Sequence, residues 1–260
     1  MELMLLNQEK KTGKVSLLIK DTTPALTNTI RRLIVNEVPT MAIDTAEIKK
    51  NSTVLYDEMV AHRLGLVPLK TDLKSYELPE KCSCKKEGCA KCRLLLSLKT
   101  KGSGYVYAER LESTDPKVVP AHPKMPIAKL IKGQQLEVDA TATLGRGREH
   151  MKWSPGCVWF TNQPQITVNN NSPKLDEFKN KYPPQIFNKA GKIDKNVILD
   201  LNLVDACDSV CDDVVKVEYL PNNFILHIEP FGQLSAKEML TTAVEVMEEK
   251  IAEMEKLIEE

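Results

Sequence analysis

Lys14-Val15-Ser16-Leu17-Leu18-Ile19-Lys20 reads as a strand, and Asp21-Thr22-Thr23-Pro24-Ala25-Leu26-Thr27-Asn28-Thr29-Ile30-Arg31-Arg32-Leu33-Ile34-Val35-Asn36-Glu37 turns straight into a helix. Small polar residues at 21–23 are candidate caps, and proline sits in the first turn, where no backbone N–H is needed. Leu26, Ile30, Leu33 and Ile34 recur at helical spacing. Val38-Pro39 ends the helix, because proline pushes its predecessor out of the αR region. The apolar face is wide for so short a helix, so it must pack on something.

A counterpart stands at the other end of the chain. A strand is expected at Phe224–Glu229, and Gly232 precedes a helix predicted over Ser235–Glu260. Leu240, Ala243, Met247, Ile251, Met254 and Ile258 recur there in steps of three and four, a seam for a partner helix. Between the two ends, Met41 to about Asn162 reads as short strands and loops. Thr40–Asp44 and Ala46–Ile48 look like two strands, Asp57–Leu64 a short helix, and Gln135–Ala142 another strand. Leu94–Leu98 and Tyr105–Ala108 bracket Gly102-Ser103-Gly104, which is hairpin grammar. Residues 163–218 are less regular.

Composition narrows the functional classes. In 260 residues, Lys+Arg and Asp+Glu are both 36, so a whole-molecule basic field for gripping nucleic acid is absent. Aromatics at 5% offer few stacking platforms. No apolar run approaches the roughly 20 residues needed to cross a bilayer, and the start is too short and acidic for a secretory signal. A soluble, cytoplasmic protein with no membrane association is expected. The four histidines are scattered, and no HExxH, GxSxG or phosphate-loop motif is present. No catalytic residue is assigned.

The strongest chemical signal is Cys82-Ser83-Cys84-Lys85-Lys86-Glu87-Gly88-Cys89-Ala90-Lys91-Cys92. Four thiolates can close a tetrahedral shell around Zn²⁺, and short spacers let a loop wrap the ion. Lys81, Lys85, Lys86, Lys91 and Arg93 offset the charge of a tetrathiolate. Four protein ligands leave no open position for a water nucleophile, so one structural Zn²⁺ held by Cys82, Cys84, Cys89 and Cys92 is expected. Unligated reduced cysteines are the bland alternative, and an iron–sulfur cluster fits the spacing less well. Cys157, beside Val158 and Trp159, is most simply core. Leu144 to Trp153 holds Gly145 and Gly147 among Arg146, Arg148 and Lys152, and reads best as a loop that docks protein, its glycines allowing close backbone approach.

These residues also carry a resemblance. Leu26–Arg32 with Glu37–Asp44, then Asn51–Glu58, Ala61–Leu69 and Leu144–Gly147 with His150 and Lys152–Pro155, resemble the signature of the α-like subunits of DNA-directed RNA polymerase. The archaeal α-like subunits, counterparts of the third-largest eukaryotic subunit and of bacterial α, are most similar, over nearly the whole chain. The resemblance implies an α+β fold: a discontinuous dimerisation domain (1–43 and 219–260), an inserted β-rich domain (44–165) with the zinc loop at 82–92, and a ferredoxin-like domain (166–218). It implies a non-catalytic assembly subunit that pairs with the smaller subunit L. With subunits N and P, that dimer would form the platform for the two large catalytic subunits, without direct specific DNA binding. Leu26, Ile30, Leu33, Leu240, Ala243, Met247, Ile251 and Met254 would form the dimer interface. Arg31, Arg32, Arg63, Arg146, Gly147, His150, Lys152 and Trp153 would face the large subunits. The ferredoxin-like segment departs from the family: Tyr182 replaces a cysteine, and the four cluster positions hold Val204, Cys207, Val210 and Val214. No iron–sulfur cluster is therefore expected. The rival reading is an independent zinc-stabilised nucleic-acid-binding module.

Overall fold

The computed structural model describes residues 1–85 and 87–259. The elements run β1 (Glu2–Gln8), β2 (Val15–Lys20), α1 (Pro24–Glu37), β3 (Pro39–Asn51), α2 (Asp57–Gly65), β4 (Arg93–Tyr107), β5 (Glu112–Ser113), β6 (Pro126–Arg146) and β7 (Gly156–Val168). Three short helices follow, α3 (Leu175–Phe178), α4 (Lys195–Asp200) and α5 (Val204–Cys207), then β8 (Val215–Pro230) and α6 (Ala236–Glu259). The fold is α+β with two four-stranded sheets, ordered β1-β2-β8-β7 and β3-β6-β4-β5. Two compact units divide the chain: residues 1–4, 18–27 and 160–225 in one, and 5–17, 28–159 and 226–260 in the other.

In the larger unit, β6 is the central strand, antiparallel to β3 on one side and β4 on the other. Leu94, Leu96, Leu98, Leu136, Val138 and Ala140 alternate inward and are at most 3% exposed. From α2, Val60 and Leu64 close over this layer, fully buried. The two strands expected at 40–44 and 46–48 are one strand, β3, bulged between Ile43 and Thr45. The extra residue, Asp44, is left free of the ladder.

The expected hairpin around Gly102-Ser103-Gly104 is corrected. β4 runs through this segment as one strand, and both halves pair with β6. Gly102 and Gly104 take φ of 131° and 125°, conformations open to glycine, and bend the strand instead of reversing it. Cys157 is also not core. Gly156 and Val158 point inward on β7, so strand parity turns Cys157 outward, where it is exposed.

The helix ends follow from side chains. Thr23 Oγ1 accepts the Leu26 N–H at 3.3 Å at the start of α1. At α6, Ser235 Oγ accepts from Glu238 N at 3.3 Å while Glu238 Oε2 accepts from Ser235 N at 2.9 Å, a reciprocal capping box. Hydrogen bonds from the Ser235 hydroxyl and N–H hold the Glu238 carboxyl below its ordinary range. Ser235→Ala should cost about 1 kcal/mol near pH 7. A carboxyl depressed in the folded state contributes stability above its unfolded pKa and loses it as pH falls through the folded value. The difference between wild-type and Ser235→Ala melting temperatures should therefore shrink in thermal melts below the carboxylate range.

The smaller unit holds its own apolar cluster. Tyr182, Ile186, Ile193, Ile198, Val204, Cys207 and Val214 are all at most 8% exposed within it. Tyr182 donates its hydroxyl to the Cys211 carbonyl at 3.2 Å, and burial pushes its pKa up to about 12. Burial also pushes the Cys207 thiol up, which keeps it neutral among apolar neighbours.

Candidate metal centre and docking surfaces

The loop before β4 gathers four sulfurs. Backbone turns Lys85 N→Cys82 O (3.1 Å), Glu87 N→Cys84 O (3.1 Å) and Cys92 N→Cys89 O (3.0 Å) fold the chain back on itself after successive cysteines. Gly88, at φ 94°, lies against the Arg93 guanidinium, and a Cβ there would overlap it. All four ligand atoms lie within 4.8 Å of one another. The Sγ separations are 3.5 Å for Cys82–Cys89, Cys82–Cys84 and Cys84–Cys92, and 3.9 Å for Cys89–Cys92. Zn–S bonds of about 2.3 Å put tetrahedral ligands about 3.8 Å apart, so the quartet is sized for such an ion.

The seven cysteines are free thiols. The Gly88 N–H stabilises the Cys84 thiolate and, with its neighbours, holds it at about 6. The Cys84 N–H favours the Cys82 thiolate too, but desolvation and the adjoining sulfurs outweigh it and push Cys82 up to about 12. One group that ionises readily beside another that resists is what crowded thiolates show before a cation neutralises them. Lys81, expected to offset the charge, pairs instead with Glu249 of α6 at 2.7 Å. Lys85 and Lys91 are exposed. Lys86 lies outside the described residues.

The proposed dimer residues fall on two kinds of surface. On α1, Leu26, Ile30 and Leu33 are half-buried, whereas Ile34 is fully buried. On α6, Ala236, Met239 and Ala243 are at most 7% exposed, covered by their own unit. Leu240 and Met247 are half-buried. From residue 250 to 259 every residue is exposed, among them Ile251 (46%), Met254 (59%), Leu257 (73%) and Ile258 (73%). The seam pattern passes over Met239. Its signal is the second stripe Ala236-Met239-Ala243, one step from the seam that starts at Leu240.

The loop from Leu144 to Trp153 is held closely by its own chain. A Cβ on Gly145 would overlap the Trp153 ring, and one on Gly147 would overlap the Val35 carbonyl oxygen of α1. The close approach that these glycines permit is therefore made within the unit. Arg148 N donates to Asn36 O at 3.1 Å. Trp153, 9% exposed, donates Nε1–H to the Thr143 carbonyl at 3.2 Å. Lys152 pairs with the bulge residue Asp44 at 2.9 Å and lies 4.1 Å from the Trp153 ring centroid. His150 Nδ1 accepts the Lys152 N–H at 3.0 Å.

Three cations converge on Glu37, whose side chain is only 14% exposed: Arg146 at 4.0 Å, Arg148 at 3.6 Å and Lys250 of α6 at 3.5 Å. Arg146 also reaches Glu80 at 3.5 Å. No local pattern marks Glu37 as a hub, because its partners are remote in the chain. Elsewhere, Arg63 donates to the Ile127 carbonyl at 3.0 Å and Arg31 to Asn28 Oδ1 at 3.0 Å, while Arg32 is exposed. His122 bonds the Phe231 carbonyl and His227 the Ser16 hydroxyl, each at 2.9 Å, so these two histidines serve separate contacts between segments remote in the chain.

Residues 42–156, which hold the cysteine quartet and the glycine-bearing loop, match the RNA polymerase Rpb3/RpoA insert domain family. The DNA-directed RNA polymerase subunit Rpo3 of Archaeoglobus fulgidus is 37% identical over 255 residues, covering 97% of this chain and 96% of that one. The same-named subunit of Methanosarcina acetivorans is 36% identical over 260 residues, covering 98% and 97%. That of Pyrococcus furiosus is 31% identical over 256 residues, covering 96% of each. Similarity at this level, sustained from end to end, means that the chain belongs to the Rpo3 family of DNA-directed RNA polymerase subunits.

Proposed function

We propose that this chain, a non-catalytic assembly subunit of DNA-directed RNA polymerase, pairs through α1 and α6 with the smaller subunit L. The nucleotidyl transfer belongs to other chains of the complex. The observation that carries the pairing is the end of α6, where Ile251, Met254, Leu257 and Ile258 stand exposed. Apolar side chains at these spacings on a 24-residue helix are what a partner helix covers. The resulting dimer, with subunits N and P, would seat the two large catalytic subunits. Arg31, Arg32, Arg63 and the 145–153 loop are the docking candidates. Since most of that loop's charges are already paired within the chain, its fixed shape would matter more to a partner than free charge.

In this reading residues 1–43 and 219–260 are the dimerisation domain, 44–165 the insert and 166–218 a relic ferredoxin-like domain. Burial of Val204, Cys207 and Val214 in one apolar cluster supports the relic, because these positions fill a core where a cluster-bearing domain would present thiolates. Cys82, Cys84, Cys89 and Cys92 would hold one Zn²⁺, which supplies a cross-link between turns that have little core of their own. No described helix is long and apolar enough to cross a membrane, in keeping with a cytoplasmic enzyme subunit.

Met254→Lys tests the pairing. Met254 is 59% exposed, so the isolated chain should fold normally. Against an apolar partner, a buried unpaired ammonium costs several kcal/mol, enough to weaken association by roughly a hundredfold or more. Light scattering of the variant mixed with subunit L should show separate species. An intact heterodimer would show that another face pairs.

A further inference from the structure

We propose that the cysteine loop is a metal-operated clasp on α6. An ion in the quartet would fix the two residues that precede it, Glu80 and Lys81, and these hold the last supported turn of the helix. The proposal rests on the metal reading above.

The physical chain is short. Lys81 is joined by one peptide bond to Cys82, which is 5% exposed. Lys81 N donates to the Leu78 carbonyl at 2.9 Å, so the segment enters the loop in a turn with little slack. From there Lys81 reaches Glu249 on α6 at 2.7 Å, and Glu80 reaches Arg146 at 3.5 Å. Arg146 lies against Glu37, which in turn holds Lys250 on α6 at 3.5 Å. Two successive residues of the helix are thus gripped by opposite charges, Glu249 from the cysteine loop and Lys250 from the end of α1. Consecutive helical side chains point about 100° apart, so the two grips oppose rotation of the helix as well as displacement.

Among the described residues these are the most C-terminal ion pairs of α6. Immediately beyond them begins the exposed apolar overhang of Ile251, Met254 and Ile258. The direction in which that overhang leaves the unit is set where the clasp acts. With the ion gone, the conformational entropy of the loop releases Glu80 and Lys81, and the helix loses the Lys81–Glu249 grip while keeping Met239 and Ala243 in the core. Linkage makes the effect reciprocal: whatever fixes α6 must strengthen metal binding by the same factor. The size is modest, because Lys81 and Glu249 have side chains 54% and 57% exposed, and such pairs contribute little each.

Hydrogen exchange on the purified full chain tests the clasp, comparing zinc-loaded protein with the same sample after chelation, its metal content measured in parallel. Chelation should speed exchange of the α6 amides around 244–250 by roughly three- to tenfold, the scale of one or two ion pairs, while β3, β4 and β6 stay protected. Lys81→Gln and Glu249→Gln should each raise α6 exchange with zinc still bound and remove the further response to chelator. Unchanged α6 exchange on loss of a bound zinc would overturn the clasp alone. So would loss of protection throughout the sheet, or full chelator response in both variants. A chain that takes up no zinc would overturn the clasp together with the metal reading, and the metal measurement tells the two failures apart.

Discussion

Gly147→Val is expected to destabilise the larger unit by about 3 kcal/mol or more. At this position the 145–153 loop crosses directly over the last turn of α1. A Cβ would overlap the Val35 carbonyl oxygen and stand 3.1 Å from its carbon. Both are backbone atoms of a helix and cannot swing aside as a side-chain tip could. The loop must lift, which breaks the Arg148 N–Asn36 O hydrogen bond and draws Arg146 and Arg148 away from a Glu37 carboxylate that is largely shielded from water. Leaving such a carboxylate short of partners is expensive. Gly65→Ala is the control, since its Cβ would meet only ordinary contacts, the nearest at 3.7 Å. Urea unfolding should separate the two variants clearly, and similar midpoints would mean that the loop is not anchored on α1.

Much of this architecture is written in local sequence, and the parts that are not share one property. The strand–helix start at 14–37, the seam of α6 and the cysteine spacing are short-range patterns, and each is legible without knowing what lies opposite. The segment around Gly102 is different. Gly-Ser-Gly looks like a reversal locally, but the decision belongs to β6, which runs alongside β4 from Thr143 back to Pro126 and keeps both halves in one strand. β1 escapes a reading by pattern because its residues are exposed on both faces, so no buried alternation marks it. The placement of Cys157 depends on strand parity, which neighbouring Val158 and Trp159 leave undecided. The Glu37 hub depends on partners at 146, 148 and 250, a convergence that only the folded chain displays.

The proposed zinc site carries the second large expectation. Removing a zinc bound there should open residues 81–93 while the β3-β6-β4 sheet remains intact. The sheet's core is built from Leu94, Leu96, Leu98, Leu136 and Val138, none of which belongs to the loop. By contrast, among the described residues the loop contributes only Cys82 and Cys92 as buried side chains, so little besides the ion would hold it closed. Structural zinc bound by four thiolates is worth on the order of 10 kcal/mol in small domains near neutral pH. Its loss is therefore a large local change. Trypsin reads it directly, since Lys81, Lys85, Lys91 and Arg93 all lie in or beside the loop. The zinc-loaded protein should resist cleavage there, and chelated protein or a Cys84→Ser variant should be cut quickly between residues 81 and 93. Equal cleavage with and without metal would mean that the four sulfurs are held together by the fold alone.

Assembly is the central claim, and one preparation tests it most directly: co-expression of the chain with subunit L, with mass and metal content measured on the purified material. A one-to-one complex carrying one zinc and no iron is the expected result. A folded monomer that ignores subunit L would contradict the account, because the exposed apolar end of α6 would then have no partner of the kind proposed.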